Sequence, residues 1–160
     1  MVSRCLDSLR LSTYENQNIV VVDNGTTVPG CAILKERYPE ITTVQLDQNY
    51  GFTGGCNRGI EKALEMGAEY VFLLNNDTIV DANAANELVF AMQKRPDVGI
   101  ASAILLFIDP PKRIRFYIAQ VDMNKAFHHQ PGKGTLYSDE FKKVFDTDFL
   151  PACAVLMRAE

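Results

Sequence analysis

The sequence predicts one α/β domain whose open, mostly parallel, doubly wound sheet is covered by helices on both faces. Over roughly the first hundred of its 160 residues, strongly apolar segments alternate with amphipathic helical segments. The apolar segments are rich in β-branched residues, as expected of parallel strands buried on both faces. Apolar residues make up 47% of the chain, which is enough for one sizeable core. We expect residues 1–108 to form the α/β core and residues 109–160 an elaboration at its rim.

The alternation begins with a helix, a strand, a second helix and a second strand. Residues 2–9 carry apolar side chains at helical spacing and predict an opening helix. Residues 19–23 are continuously apolar up to an Asp-Asn-Gly turn, which is typical of a buried strand. Residues 32–37 are predicted to be helical, and a strand is predicted over residues 41–46.

The alternation continues through a glycine-rich segment at residues 49–59 that leads into a helix closed by Gly67. Residues 70–74 then predict a third buried strand. Asp81 is expected to cap the next helix, and residues 98–108 return to a strand-like sequence.

The last fifty residues have a different character. Residues 114–121 and 149–157 predict further strands. Residues 125–140 contain Pro131, Gly132 and Gly134 in a polar stretch, so we expect a mobile loop there, with a fixed surface loop as the alternative.

Composition excludes several classes of protein. A formal net charge of -4 argues against a nucleic-acid binder with a basic surface. The longest apolar stretch, residues 100–108, is about half the ~20 residues of a membrane-spanning helix, and charges interrupt any signal-peptide core near the amino terminus. We therefore expect a cytoplasmic protein, with the inner face of the membrane as a peripheral location.

The cysteines and histidines predict neither a zinc site nor a disulfide framework. The four cysteines contain no C-x-x-C pair, and the two histidines are adjacent in the chain. We interpret the cysteines as free thiols without chemistry, and a catalytic Cys-His pair is the alternative.

Polar residues follow three of the predicted strands, where ligands bind in open α/β sheets. They are Asp23, the segment at residues 49–59 and the segment at residues 75–77. Taken singly, these are explained as well by a turn, a flexible loop and helix-capping residues. Thr53 replaces the second glycine of a G-x-G-x-x-G pattern, which removes most support for a dehydrogenase.

The three segments together resemble the inverting family 2 glycosyltransferases of the GT-A fold, and among them the rhamnosyltransferase-like members. The matching motifs are VVDNG at residues 21–25, NYGFTGGCNRG at residues 49–59 and LLNNDT at residues 73–78. The resemblance implies a three-layer α/β/α domain of the nucleotide-diphospho-sugar transferase type. It extends to DPPKRIRF at residues 109–116 and DFLPACAVLMRAE at residues 148–160, the second of which looks like the strand that precedes the acceptor site. The resemblance thus implies that residues 1–108 are the nucleotide-sugar-binding core and residues 109–160 an incomplete elaboration on the acceptor side.

The resemblance also implies roles for individual residues. Asp23 takes the place of the acid that contacts the nucleotide base, and Asp77 that of the last acid of a D-x-D-like motif, which binds Mg²⁺ or Mn²⁺. The other residues implied in nucleotide-sugar binding are Asn24, Asn49, Gly51, Gly54, Asn57, Asn75 and Asn76.

The implied function is hexosyl transfer with inversion, from a UDP- or dTDP-sugar to a glycan or lipid-linked acceptor, as in polysaccharide biosynthesis. The alternative is a non-catalytic or truncated nucleotide-sugar-binding domain that needs another segment or chain for turnover. A sugar-phosphate nucleotidyltransferase is less well supported, because the sequence lacks a glycine-rich, basic loop near its amino terminus.

Two parts of the family pattern have no match here, so we expect the donor-binding core of a longer enzyme or a truncated gene product. No residue matches the acid of the E-D-x-D-like segment that acts as general base, and neither Asp146 nor Asp148 is assigned as a substitute. The family's central strand, of the type V-S-V-I-I-V-T-Y-N, also has no match. Residues 19–23 and 70–74 would flank it, so we expect direct pairing of these strands, a strand-swapped homodimer or a rearrangement of the opening residues.

Overall fold

The computed structural model describes residues 1–27, 30–125 and 127–159, which form four helices, nine strands and one 3-10 helix. No helix among these residues is long and apolar enough to cross a membrane. In chain order the elements are α1 (Val2–Leu9), β1 (Val20–Asp23), α2 (Gly30–Arg37), β2 (Thr42–Gln45), α3 (Gly51–Glu65), β3 (Tyr70–Leu74), α4 (Ala84–Lys94), β4 (Ile100–Ala101), β5 (Leu105–Leu106), β6 (Ile114–Phe116), β7 (Gln120–Asp122), β8 (Phe127–His129), the 3-10 helix (Asp139–Phe141) and β9 (Ala154–Arg158).

The strands form four small sheets. β1 and β2 pair in parallel, with Val20 opposite Thr42. β9 lies between β3 and β4 and is antiparallel to both. The pairs β5–β6 and β7–β8 are antiparallel hairpin-like ribbons at the rim. The helix-strand order and the mixed α/β class predicted from the sequence are confirmed.

Each of the two larger sheets has its own core. On the β1–β2 side, Leu6 of α1 packs with Tyr38 and Ile41, all 3% exposed or less. On the other side, Leu88, Val89 and Met92 of α4 pack against Leu156 of β9. The apolar face predicted for α1 is therefore buried through Cys5 and Leu6, and α4 buries Leu88, Val89 and Met92, which also recur at helical spacing.

A cavity of about 740 Å³ separates the two sheets, and we call it the interstrand cavity. Its walls include residues 19–22 of the β1 segment, all of β3, and apolar side chains of α1 and α3. β1 is hydrogen-bonded only to β2, and β3 only to β9, so one edge of each strand faces the cavity. Within the described residues no backbone hydrogen bond joins β1 to β3.

Two expectations about the sheet are therefore wrong for this structure. The strands do not form one continuous, mostly parallel sheet, because the interstrand cavity divides it and only the β1–β2 pair is parallel. β1 and β3 do not pair directly, and the opening residues remain helical as α1. The cavity, lined also by residues of α1 and α3, lies between the two strands and keeps their backbones from pairing. Pairing with a strand from a second chain stays a prediction.

The helices differ from prediction mainly at their first residues. α3 begins at Gly51, so most of the glycine-rich segment is helical rather than a loop that precedes the helix. Asn83 occupies the N-cap position of α4 without a side-chain hydrogen bond to the helix, while Asp81 Oδ1 accepts the Asn83 N–H at 2.9 Å in a turn before the helix. Gly67 adopts φ +80°, as expected for the residue that closes α3.

The rim is more broken than the sequence predicts. Residues 98–108 form two short strands, and residues 114–121 are divided between β6 and β7. Residues 125–140 contain β8 and a turn in which Gly134 N–H donates to Ile114 C=O at 2.8 Å. Ala126, within this segment, lies outside the described residues. This hydrogen bond to β6 is typical of a fixed loop, and mobility of residues 125–140 stays a prediction.

Candidate functional site

The interstrand cavity opens at one end onto polar residues from two strand ends. Asn24 follows β1 directly, and Asn75 and Asn76 follow β3, and all three line this cavity. The rest of its wall is mostly apolar. We call Asn24, Asn75 and Asn76 the polar rim. Residues that follow the carboxyl ends of two strands far apart in sequence thus line the same cavity, and strand ends are where a ligand is expected in an open α/β sheet.

The carboxylate of Asp23 is held inside a turn by Thr26. One oxygen accepts the Thr26 backbone N–H at 2.9 Å and the other accepts the Thr26 hydroxyl at 2.8 Å. Asp23 is only 7% exposed. The Thr26 N–H bond lowers the pKa of Asp23 below its ordinary value, aided by the Thr26 hydroxyl and the Gln45 side chain, while burial opposes the shift. Asp23 is therefore a fixed anion at the end of β1.

Asn24 connects the end of β1 to the start of α3. Its amide nitrogen donates to Asn49 Oδ1 at 3.1 Å and to Gly51 C=O at 2.8 Å. Its Oδ1 accepts the Tyr50 N–H at 2.9 Å. Asn49 Oδ1 in turn accepts the Gly51 N–H at 2.8 Å. Asn24, Asn49 and Gly51, three of the predicted site residues, are thus brought together in one hydrogen-bonded group.

Glycines allow these elements to approach closely. Gly25 has φ +74°, and a Cβ there would collide with the Gln48 backbone and lie 2.5 Å from Asn49 N. On α3, a Cβ at Gly55 would lie 3.1 Å from Asn24 Nδ2, and one at Gly59 would lie 3.0 Å from Val22 Cγ2. Gly55 and Gly59 therefore serve the packing of α3 on β1.

Backbone hydrogen bonds hold the segment that follows β3, and the carboxylate of Asp77 in this segment has no partner among the described residues. Asn75 N–H donates to Cys153 C=O at 3.0 Å, and Asn75 C=O accepts the Thr78 N–H at 3.1 Å. Asp77 is exposed and makes no hydrogen bond or ion pair with any described residue. Burial raises the pKa of Cys5, and the negative charge of Asp77 raises it further.

These residues are compatible with a divalent cation only if the substrate shares in binding it. No group of three or more His, Cys, Asp or Glu side chains among the described residues could hold a metal ion by itself. Mg²⁺ commonly keeps several waters and binds through one or two carboxylates together with substrate phosphates. The unpaired, exposed carboxylate of Asp77 fits that mode of binding.

Six predicted site residues do not line the interstrand cavity, and they are Asp23, Asn49, Gly51, Gly54, Asn57 and Asp77. Asn57 is exposed on α3, two positions after Gly55, whose Cα faces Asn24. Two helical positions are about 200° apart, so Asn57 projects from the far side of the helix. Gly54 faces Tyr50, where a Cβ would lie 2.6 Å from Tyr50 Cβ, so it contributes to the first turn of α3.

Thr26 is the site residue that sequence reasoning missed. The signal was present, because an Asp followed three positions later by Thr is a common pattern for side chains that bond within a turn. The cysteines carry no nucleophile signal: burial raises the pKa of Cys5, Cys31 and Cys56 above the ordinary value. These thiols stay protonated at neutral pH.

Two comparisons with known proteins give sequence matches to this chain. Poly-beta-1,6-N-acetyl-D-glucosamine synthase of Staphylococcus epidermidis is 27% identical over 100 residues, which cover 61% of this chain and 24% of the synthase. The match thus spans about a quarter of that relative's length. The sequence profile described as Glycosyl transferase family 2 matches residues 1–158. Because this match covers nearly the whole chain and includes both strand ends of the polar rim, the chain belongs to glycosyl transferase family 2.

Proposed function

We propose that the chain binds a nucleoside-diphosphate sugar at the polar rim and takes part in transfer of the sugar to an acceptor hydroxyl. The observation that carries this proposal is that Asn24, Asn75 and Asn76, which follow two different strands, line one cavity, with the exposed carboxylate of Asp77 next in the chain. Membership of family 2 and the synthase relative support it. UDP or dTDP is the proposed nucleotide, and a hexose, rhamnose included, is the proposed sugar.

Asp23 and Asn24 are proposed to hold the nucleoside. A carboxylate has about four acceptor positions, of which Thr26 occupies two and the Gln45 side chain a third, so Asp23 keeps one for an N–H of a pyrimidine base. Asn24 and Asn49 hold the first turn of α3 against this acid through their mutual hydrogen bond. The pair therefore fixes the width of the opening that a nucleoside would enter.

The diphosphate is proposed to lie against residues 75–77. Asp77, with phosphate oxygens and water, would hold Mg²⁺ or Mn²⁺, which supplies stabilisation of the charge that develops on the leaving diphosphate. Asn75 is anchored to Cys153 and Thr78 through its backbone, so its side chain is presented from a fixed position. The exposed amide of Asn76 can donate to a phosphate oxygen.

Transfer with inversion needs a base on the acceptor side. In that step the acceptor oxygen forms a bond to the anomeric carbon, the bond to the diphosphate breaks, and the acceptor proton passes to a carboxylate. Asp146 and Asp148 are poor candidates, because Asp146 lies 3.6 Å from Arg95 and Asp148 accepts the Val121 N–H at 2.9 Å. We assign the base to no described residue.

The fold proposal follows from the same geometry. We infer that β1–β2 and β3–β9–β4 are two parts of one GT-A sheet, divided at the interstrand cavity. Support comes from the cavity itself, which is lined by both β1 and β3 and by the residues that follow each of them, as expected of two strands of one sheet with a gap between them.

Calorimetric titration with UDP, dTDP and GDP tests the donor site. UDP or dTDP is expected to bind more tightly with Mn²⁺ than with EDTA, and Asp77→Asn is expected to remove that difference. Glu36→Gln, at an exposed acid on α2, is the matched control and should retain it. Equal affinities with Mn²⁺ and EDTA in the unmutated chain would contradict the metal role, and no binding of any nucleotide would contradict the donor site.

A second function, nucleotide-sugar binding without turnover, is favoured by the unassigned base. Incubation with UDP-glucose separates the two. Release of UDP in the presence of the chain supports transfer or hydrolysis, whereas tight UDP binding without release supports the binding domain.

A further inference from the structure

Helix α1 contacts residues 75–83, the segment that joins β3 to α4, through two hydrogen bonds from far along the chain. The Cys5 thiol donates to the Asn75 C=O at 3.8 Å, and the Val80 N–H donates to the Ser8 hydroxyl oxygen at 3.1 Å. The paired residues are 70 and 72 positions apart in sequence. The segment is therefore attached to α1 at two separate points.

Ser8 is buried and uses both functions of its hydroxyl group. It is 8% exposed, and its hydroxyl donates to the Cys5 C=O at 2.7 Å while it accepts the Val80 N–H. A bond from a helical serine to the carbonyl three residues earlier fixes the direction of the hydroxyl, so that an oxygen lone pair remains for Val80. Removing this hydroxyl would leave a part-buried N–H without its acceptor.

Cys5 makes a weaker contact than Ser8, because a thiol is a weak donor. Burial raises the pKa of Cys5 and the charge of Asp77 raises it further, so the thiol stays protonated at neutral pH and can donate. The Asn75 C=O has two lone pairs and also accepts the Thr78 N–H at 3.1 Å. Cys5 thus supports a turn that the segment already makes by itself.

Helix α1 is held in place by contacts that do not involve this segment. Leu6 is 3% exposed and lies in the core on the β1–β2 side. Asp7 pairs with Arg37 of α2 at 3.0 Å. Because Cys5 and Ser8 are three residues apart, they lie on one face of α1. This face is therefore a fixed surface against which the segment is held.

The turn after α1 adds a further link near the end of the segment. The Thr13 N–H donates to the Ala82 C=O at 2.8 Å, and the Asn86 amide of α4 donates to the Thr13 hydroxyl oxygen at 2.6 Å. In the chain, Asp77 lies between these links and the one at Asn75, and its carboxylate makes no hydrogen bond or ion pair with a described residue. The position of this carboxylate therefore depends on the backbone that α1 holds.

We propose that Ser8, assisted by Cys5, is a positioning residue of the donor site and holds residues 75–80 in the conformation that a metal-bound diphosphate requires. Both side chains act through the backbone of Asn75 and Val80. Without the bond from Val80 to Ser8, part of the binding free energy would be lost to ordering the segment. The assignment rests on the proposed function, because it concerns the segment proposed to receive the diphosphate.

Calorimetric titration of Ser8→Ala with UDP, in Mn²⁺ and in EDTA, tests the proposal. In Mn²⁺ the variant is expected to bind UDP about tenfold more weakly than the unmutated chain, an effect of the size of one hydrogen bond, and in EDTA equally well. Ser8→Thr keeps the hydroxyl and is expected to restore most of the affinity in Mn²⁺. Ser3→Ala is the matched control, at a serine of α1 whose hydroxyl makes no hydrogen bond with a described residue.

Amide hydrogen exchange in the metal-free chain separates a positioning role from general destabilisation. Ser8→Ala is expected to speed exchange at Val80 and to leave exchange unchanged at Leu156, a core residue of β9. Cys5→Ala leaves Ser8 in place and is expected to show the same effects to a smaller degree, so it serves as the test if Ser8→Ala does not fold. Faster exchange at both amides, with UDP affinity lowered equally in Mn²⁺ and EDTA, would overturn the proposal.

The outcomes also distinguish this proposal from the proposed function. If Mn²⁺ strengthens UDP binding to the same degree in the unmutated chain and in Ser8→Ala, the positioning role is wrong and the donor site stands. If Mn²⁺ does not strengthen UDP binding to the unmutated chain, both the positioning role and the metal-dependent donor site are wrong.

Discussion

At the scale of single residues, the negative charge of Asp23 at the end of β1 is stabilised by hydrogen bonds from Thr26. The Thr26 N–H and hydroxyl lower the pKa of Asp23, so the folded state holds this carboxylate more strongly ionised than the unfolded chain does. The stabilisation is fully present above the unfolded pKa of about 3.9. It is lost as the pH falls through the lower folded value.

Thr26→Val is expected to raise the pKa of Asp23 and to cost about 1.5 kcal/mol of unfolding free energy at neutral pH, because a hydrogen bond to a charged group is removed. The cost should disappear below the folded pKa of Asp23. Urea unfolding at a series of pH values measures it. Thr27→Val, at the exposed threonine next in the chain, is the control. An equal loss at every pH would show that the hydroxyl does not act through the carboxylate.

At the scale of elements, the sequence predicted the order of helices and strands well and their pairing poorly. α1, β1, β2 and β3 agree with prediction to within about two residues, because their apolar periodicity is local information. The start of α3 was missed, because helix propensity disfavours glycine, whereas packing on Val22 and Asn24 requires it at positions 55 and 59.

The residues of the candidate site also differ in how well the sequence predicted their positions. Residues placed by a strand end, such as Asn24 and Asn75, reached the polar rim as predicted from topology. Asn57 did not, because its direction depends on where α3 begins and hence on which helix face meets β1. A smaller cavity of about 300 Å³, lined by Phe116 of β6, Lys133 and Phe149, was not predicted from the sequence, since its walls come from segments far apart in the chain.

Gly25 and Gly67 both have left-handed backbone conformations, so comparing them distinguishes the cost of backbone strain from the cost of a steric collision. Gly25 and Gly67 have φ +74° and +80°, but only at Gly25 would a Cβ meet neighbouring backbone. Gly67→Ala is expected to cost about 1–2 kcal/mol from the left-handed conformation alone. Gly25→Ala should cost clearly more in urea unfolding and should also weaken nucleotide binding, because Asn49 must move. Equal costs for the two variants would contradict the close approach at Gly25.

At the scale of the whole molecule, the interstrand cavity is the main departure from a continuous sheet. β1 and β3 each present one unpaired edge to it, and their side chains are mostly only half-buried. Unpaired backbone groups that are shielded from water cost about 1–3 kcal/mol each, so a strand between the two edges would stabilise the fold.

Fusing the segment Val-Ser-Val-Ile-Ile-Val to the amino terminus through a Gly-Ser linker tests this expectation. Two added hydrogen bonds of about 1 kcal/mol each correspond to a Tm higher by about 4–8 °C in a chain of this size. The same segment with prolines at its second and fourth positions cannot pair fully and is the control. An unchanged Tm with the first segment would show that the cavity does not accept a strand.

The central claim is that the polar rim and Asp77 together bind a nucleoside diphosphate with a divalent cation. Amide NMR spectra recorded with UDP and a small amount of paramagnetic Mn²⁺ test it most directly. Broadening is expected at the backbone amides of Asn75, Asn76 and Asp77, with UDP-dependent shifts at Asn24 and Asn49, and Asp77→Asn should abolish the broadening. Broadening confined to acids elsewhere, or UDP-dependent shifts that leave both strand ends unchanged, would contradict the claim.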